Sequence, residues 1–310
     1  MTSQRLPVEV INIVGPTASG KTALSLAVAS ALDAEIVNLD AYQIYRDMNI
    51  GTAKPSSQEL ALVKHHCIDI ADISQTASVS DFQTLARTAI REINSRGKRA
   101  ICVGGSGLYV KAVLDEMDFP GVDLVVRARY EALSEQLGSV KLHELLATKD
   151  PLAAAAIDAG NVRRVVRALE VIETTGQPYT AVLPSPTHIF RDVRICLDVT
   201  RDQLAPRIAQ RVDAMWVAGW PNEVAELAAR GLFNTPTASK ALGYASVDQF
   251  NRGEISELDA KMDVSFATLK FTKKQMQWFR RDDSLHWLQW DAPDLVAQAL
   301  HVIETFESQN

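Results

Sequence analysis

The sequence predicts an α/β fold, a P-loop NTPase-like parallel-sheet core interrupted by a helical insertion domain. Three observations predict it. Short apolar runs alternate with helical patterns over the first hundred residues, a glycine-rich loop joins the first such run to the first helix, and a stretch of helical patterns alone precedes the return of the strand signal.

Five runs read as buried strands: residues 8–14 (VEVINIV), 34–40 (AEIVNLD), 99–104 (RAICVG), 193–199 (VRICLDV) and 284–290 (SLHWLQW). Most are nearly continuous in Val, Ile, Leu and Cys, as parallel strands covered on both faces require. Helices are predicted between the first three, over residues 21–32 and 80–95, the second opened by Ser80 as N-cap and closed at Gly97. Only helical patterns follow up to residue 186: 125–137, 141–148, 151–158 and 162–174, the last stopped by Gly176-Gln177-Pro178. Pro184-Ser185-Pro186 reads as a linker back to the core, so the predicted domains are 1–114 with 190–310 and an insertion of 115–189. Helices are then expected over 203–218, 221–230, 256–280 and 293–306.

Composition bounds the function. In 310 residues, 47% hydrophobic content suffices for a buried core and argues against disorder. A net charge of −6 excludes a strongly basic nucleic-acid binder as a whole-chain description, though not local basic faces. Cys67, Cys102 and Cys196 are scattered in apolar runs with no C-x-x-C pair, so buried thiols in a reducing cytosol are expected rather than zinc or disulfides. No apolar run approaches 18 residues and the first ten lack a signal-peptide core, so a soluble, cytoplasmic chain with no membrane partner is expected, as a monomer.

Gly15-Pro16-Thr17-Ala18-Ser19-Gly20-Lys21-Thr22 matches the phosphate-loop pattern G-x-x-x-x-G-K-[ST]. Chance gives such a match in roughly one chain of this length in a hundred, so the strand before it and the helix after it matter. The loop amides and helix N-terminus converge on an anion, Lys21 adds a point charge, and the Thr22 hydroxyl is placed to ligate Mg²⁺. The pattern predicts polyphosphate binding without saying which polyphosphate. The run at 99–104 ends in Gly104-Gly105-Ser106-Gly107, glycines that admit close backbone approach by a ligand but supply no carboxylate for Mg²⁺. The acid stands instead at the end of the second strand, Asp40, facing the ligand crevice of a doubly wound sheet. There it can be a metal ligand, a general base or a plain turn residue.

Taken together, GPTASGKT, residues 40–55 (DAYQIYRDMNIGTAKP), 65–70 (HHCIDI), 80–83 (SDFQ), 104–109 (GGSGLY), 161–171 (NVRRVVRALEV), Leu242-Gly243-Tyr244 and 273–280 (KKQMQWFR) resemble the tRNA dimethylallyltransferases, or tRNA isopentenyltransferases, in order and spacing over residues 9–281. The chain departs from that family in Ala41 where Ser is usual, Ser106 where Thr is usual, Asn161-Val162 before the Arg pair, and Lys at 240, 270 and 273–274. The resemblance implies transfer of a dimethylallyl group from dimethylallyl diphosphate to the exocyclic amine of the adenosine 3′ of the anticodon, in tRNAs reading codons that begin with U. It implies Asp40 as general base, Ser106 as a positioning hydroxyl, Lys21 with the loop and Mg²⁺ stabilising the leaving diphosphate, and Arg207 and Arg211 near that diphosphate. An adenine reached in this way must leave its stack.

The resemblance also implies tRNA contacts at Asp40, Ala41, Tyr42, Gln43 and Lys240, and in the insertion at Arg129 (with Arg127 beside it), Arg163, Arg164 and Arg167. Residues 270–281 add Lys270, Lys273, Lys274, Arg280 and Arg281 without an acid, interleaved with Phe271, Trp278 and Phe279. Such interleaving suits single-stranded nucleic acid, yet Phe271, Gln275 and Trp278 also fall at core-stripe spacing, and the aromatics are expected to be mostly core. His65 and His66, adjacent and so facing apart on a helix, are expected to be structural, and Trp216, Trp220, Trp287 and Trp290 to be packing residues. Alternatives are an adenylate isopentenyltransferase acting on AMP, ADP or ATP, a P-loop ATPase or small-molecule kinase, and a non-enzymatic nucleotide-binding module.

Overall fold

The computed structural model describes residues 8–117, 119–179 and 187–309; the expected linker at Pro184–Pro186 lies outside them. The chain divides into two compact units, Met1–Glu116 with His188–Asn310, and Met117–Thr187.

The first unit begins with β1 (Val10–Val14), α1 (Lys21–Leu32), β2 (Glu35–Asn38), α2 (Ser57–Leu62), β3 (His65–His66), α3 (Val79–Ser95), β4 (Ala100–Gly104) and α4 (Gly107–Leu114). The inserted unit contributes α5 (Leu124–Leu137), α6 (Ser139–Lys149), α7 (Pro151–Ala156) and α8 (Val162–Thr175). The first unit resumes with β5 (Asp192–Asp198), α9 (Arg201–Val217), α10 (Trp220–Ala229), α11 (Tyr244–Asn251), α12 (Glu257–Phe279), β6 (Leu285–Gln289) and α13 (Leu295–Gln309).

The strands form one sheet in the order β3-β2-β4-β1-β5-β6, parallel throughout. Alternation along β1 explains its two-sided burial. Val10 and Val14 face a core shared with Phe82, Ile90, Trp220 and Phe279, while Ile11 and Ile13 pack with Leu24 and Val28 of α1 and Ile303 of α13. The sequence reading missed β3, which at two residues is too short to show a hydrophobic run. His65 and His66 therefore lie on a strand, not a helix. His66 Nε2 is 2.7 Å from Glu35 Oε2, and His65 Nδ1 is 2.7 Å from the Val63 carbonyl, so both rings are held by protein partners. The cap of α3 is Ser78, whose hydroxyl accepts from the Asp81 amide, rather than Ser80. The short helices α2, α4 and α11 went unread, each having at most eight residues and thus little periodicity.

All three cysteines are free and buried. Burial pushes the Cys67 thiol up to about 11 and holds those of Cys102 and Cys196 well above the ordinary thiol range, so they remain protonated packing residues. At the start of β5, Arg194 is 1% exposed and meets Asp192 (2.5 Å), Asp115 (2.6 Å) and Asp282 (3.3 Å). An antiparallel bridge pairs Asp115 with His188 beside it. Such a buried charge is tolerated because it is paired and hydrogen-bonded.

Within the inserted unit, Tyr130, Leu142, Leu146, Val165, Val166 and Leu169 form a separate core. The carboxylate of Glu170 is fully buried and satisfied by the Arg127 guanidinium at 2.8 and 3.0 Å, the Asp123 amide at 2.9 Å and Arg167 at 3.1 Å.

Candidate active site

The carboxyl ends of β1, β2 and β4 hold the site, because the loop after each parallel strand opens on that edge. The phosphate loop after β1 takes two left-handed positions. Gly20, at φ 100°, is the N-cap of α1, and Ala18 stands at φ 64° although it has a Cβ. That conformation disfavours a non-glycine residue, and here the loop is held from outside. Arg207 Nε donates to the Ala18 carbonyl at 2.7 Å, with its guanidinium 3.8 Å over the Trp290 ring. The Gln275 side chain accepts from the Thr17 amide at 2.9 Å, and Lys21 Nζ donates to the Pro16 carbonyl at 2.7 Å.

Two adjoining cavities share Lys21, Thr22 and Arg211. The inner one, about 90 Å³, adds Asp40, Gly104 and Gly105; the outer one, about 440 Å³, adds Ala18, Gly20 and Arg207. Burial lowers Lys21 from 10.5 to about 8, with the Arg211 charge adding to the shift and Asp40 opposing it. Burial likewise lowers Arg211, again opposed by Asp40. Two desolvated cations therefore face one carboxylate. A polyanion seated there would restore the balance of charge.

The Asp40 Oδ1 accepts from the Tyr42 amide at 2.8 Å and the Gln43 amide at 3.3 Å, an Asx turn that fixes the carboxylate at the rim of the inner cavity. One residue thus holds the turn and lines the cavity. Gln43 braces the same segment by donating to the Thr52 and Ala53 carbonyls at 3.0 and 3.1 Å. Ala41 and Tyr42 pack against the core, and the Tyr42 hydroxyl donates to the Lys240 carbonyl at 3.0 Å.

The glycines after β4 have a different use from the expected one. A Cβ on Gly104 would stand 2.7 Å from the Leu39 carbonyl oxygen, one on Gly105 2.3 Å from Gln275 Nε2, and one on Gly107 1.8 Å from the Trp278 ring. On the Cβ side the close approach is by β2's end and by α12, while Gly104 and Gly105 also line the inner cavity. We expect Gly107→Ala to destabilise the fold by about 1–3 kcal/mol through overpacking, read from the midpoint and slope of chemical denaturation. Ser106 is the N-cap residue of α4, and its hydroxyl makes no cap bond to that helix.

Helix α12 corrects another expectation. Its buried positions include Thr268, Thr272, Gln275, Met276 and Phe279, so of the stripe read through Phe271, Gln275 and Trp278 only Phe271 falls outside the core. Phe271 is 40% exposed, beside exposed Lys270, Lys273 and Lys274, while Trp278 packs against the core. Trp287 also departs from the expected packing role, at 37% exposed; Trp220 is buried, and Trp216 and Trp290 pack against the core. Gln275 was read only as part of the stripe. The signal that could have marked it is three polar residues, Thr268, Thr272 and Gln275, on one buried face.

In the inserted unit, Arg163 and Arg164 are exposed. Arg167 is turned inward, donating to the Pro120 and Gly121 carbonyls at 2.5 and 3.1 Å as well as pairing with Glu170. Arg129 pairs with Glu173 and lies over the Tyr130 ring. Among the described residues no group of three His, Cys, Asp or Glu could hold a metal by itself, and no helix is long and apolar enough to cross a membrane.

Residues 43–282 match the family model of the IPP transferases. The chain is 50% identical over 294 residues to the tRNA dimethylallyltransferase of Salinispora arenicola, covering 95% of this chain and 86% of that one. Its fold matches the full-length tRNA isopentenylpyrophosphate transferase of Bacillus halodurans with a TM-score of 0.71 and 36% identity, over 97% of each chain. A eukaryotic dimethylallyltransferase acting on tRNA shares the fold at a TM-score of 0.80 and 23% identity, over 97% of this chain and 80% of that one. With its phosphate loop, its Asx-turn aspartate and its parallel core, this chain belongs to the IPP transferase family.

Proposed function

We propose that the protein is a tRNA dimethylallyltransferase, joining the dimethylallyl group of dimethylallyl diphosphate to the exocyclic amine of the adenosine 3′ of the anticodon. The observation behind this reading is the cavity in which two desolvated cations, Lys21 and Arg211, converge with the phosphate loop opposite a single carboxylate, Asp40. The relatives favour it over an adenylate prenyltransferase or a kinase.

The diphosphate lies against the phosphate loop and the ammonium of Lys21, flanked by Arg207 and Arg211. The amine nitrogen bonds to the first carbon of the dimethylallyl group as the carbon–oxygen bond to diphosphate breaks, and the amine proton passes to Asp40. Charge building on the leaving diphosphate meets donors already in place. Ser106, at the end of β4, orients the reacting groups. Mg²⁺ fits beside the Thr22 hydroxyl, which lines the cavity with Lys21, because this ion takes few protein ligands beside phosphate oxygens. It would neutralise diphosphate charge. The tRNA would run over Ala41, Tyr42, Gln43 and Lys240 and over Lys270, Lys273 and Lys274, with Arg163 and Arg164 on the inserted unit; Arg129 and Arg167 shape that unit.

Radiolabelled dimethylallyl diphosphate, offered with total tRNA, AMP or no acceptor, tests the reading. Label in tRNA alone is expected; label in AMP alone, or in neither, would overturn it. Position-by-position tests separate the arginines. Arg163→Ala should leave stability unchanged and reduce the log–log salt slope of tRNA binding by about 0.7–0.9. Arg167→Ala should lower stability by about 1–3 kcal/mol, because Glu170 and two carbonyls lose a donor.

A further inference from the structure

We infer that Gln275 is a positioning residue for the transfer reaction, a side-chain strut that sets the distance between the diphosphate loop and the end of β4 where the acceptor reacts. The inference rests on the proposed transferase reading and extends it to a residue of α12 that lines the inner cavity and is engaged at both ends by its walls.

Gln275 is 5% exposed and uses both ends of its amide. Its Oε1 accepts from the Thr17 amide in the phosphate loop at 2.9 Å, and its Nε2 donates to the Gly105 carbonyl at 2.9 Å. Gly105 precedes Ser106 and lines the inner cavity with Lys21 and Asp40. One planar amide therefore links the seat of the leaving group to the strand end that carries Ser106. Its span is fixed by covalent geometry, whereas loops without such a link move independently. The space is cut to this side chain, because any Cβ on Gly105 would meet Nε2 at 2.3 Å. The Thr17 amide is also withdrawn from the anion by this bond. Gln275 therefore shapes the loop rather than adding to its affinity for the anion. Thr268 and Thr272, buried on the same face of α12, hold no such bridge: the Thr272 hydroxyl is spent on the Leu269 carbonyl of its own helix.

The experiment compares wild type, Gln275→Met and Gln275→Glu in single-turnover transfer to tRNA at saturating dimethylallyl diphosphate. Gln275→Met, similar in volume but unable to bridge, should lose at least about tenfold in rate while its affinity for inorganic diphosphate changes less than about threefold. Gln275→Glu can accept from Thr17 always but donate to Gly105 only when protonated, and burial beside a carbonyl raises its pKa. Its rate relative to wild type should therefore climb as pH falls from about 8.5 to about 6, while the ratio for Gln275→Met stays flat. A purely structural role moves thermal stability without producing that profile. A Met variant within threefold of wild type, or a Glu variant as flat in pH as the Met one, overturns the inference; should the Met variant not fold, the Glu profile decides. A wild type inert toward tRNA would instead sink the transferase reading. Hydrogen exchange at the Thr17 amide still judges the strut: faster exchange in Gln275→Met supports it, and unchanged exchange there refutes it.

Discussion

Replacing Asp40 by Asn should slow transfer by roughly 10²–10⁴, the contribution of a positioned general base, while tRNA and dimethylallyl diphosphate still bind. The geometry makes this a clean substitution. Oδ1 holds the Asx turn through the amides of Tyr42 and Gln43, and an Asn side-chain oxygen can do the same. The second carboxylate oxygen, which has no hydrogen bond among the described residues, becomes an NH₂ that can only donate. The turn survives and the proton acceptor is lost. Single-turnover transfer across a Mg²⁺ titration distinguishes the roles. A base leaves the defect at every Mg²⁺ concentration, a metal ligand lets excess Mg²⁺ restore the rate, and a turn residue alone leaves turnover within threefold of wild type with stability changed by no more than about 1 kcal/mol. The last two results would count against the catalytic assignment.

The second large effect is expected at Lys21. Lys21→Ala should weaken binding of a non-reactive dimethylallyl diphosphate analogue by on the order of 10², since a hydrogen bond to a charged group contributes about 1.5–3 kcal/mol and is worth more in a water-poor site. The fold should persist, because among the described residues Lys21 bonds only to the Pro16 carbonyl of its own loop. Its pKa of about 8 in the ligand-free protein gives the effect a pH signature. The anion binds the protonated lysine, so protonation and binding are linked. Below pH 8 the charge is present before binding and the wild-type advantage is full. As pH rises through 8 the free lysine loses its proton, binding must recapture one, and the affinity ratio of wild type to Lys21→Ala should fall. Taking the ratio cancels the ionisation of the diphosphate. A ratio near one, or one that does not change above pH 8, would show that Lys21 is not a phosphate contact.

Much of the core could be read without coordinates because its signals are local. The five runs at 8–14, 34–40, 99–104, 193–199 and 284–290 each match an observed strand to within a few residues at either end, most of them because a strand buried on both faces must be apolar almost continuously. The helical patterns between residues 125 and 174 correspond to the four helices of the inserted unit for the same kind of reason, their 3.6-residue period. What failed was also local in origin. His65–His66 is too short to form a run, and Phe271 is exposed although Gln275 and Trp278 of the same stripe lie in or against the core. Arg163 and Arg167, four apart, look equivalent in sequence, yet one is exposed and the other is bound to Glu170 and to two carbonyls.

The sequence by itself determined the fold class, the phosphate loop and the candidacy of Asp40, because each depends on spacing along a few consecutive residues. Only the tertiary structure decided how those pieces meet. Arg207 and Gln275 lie 189 and 258 residues from the loop atoms they hold, and the glycines after β4 are small because Leu39, Gln275 and Trp278 press against them. The depressed pKa of Lys21 likewise arises from burial and from Arg211, a residue on α9. Charge, desolvation and close packing act through space, and a linear pattern records which groups a chain has rather than the distances at which they act.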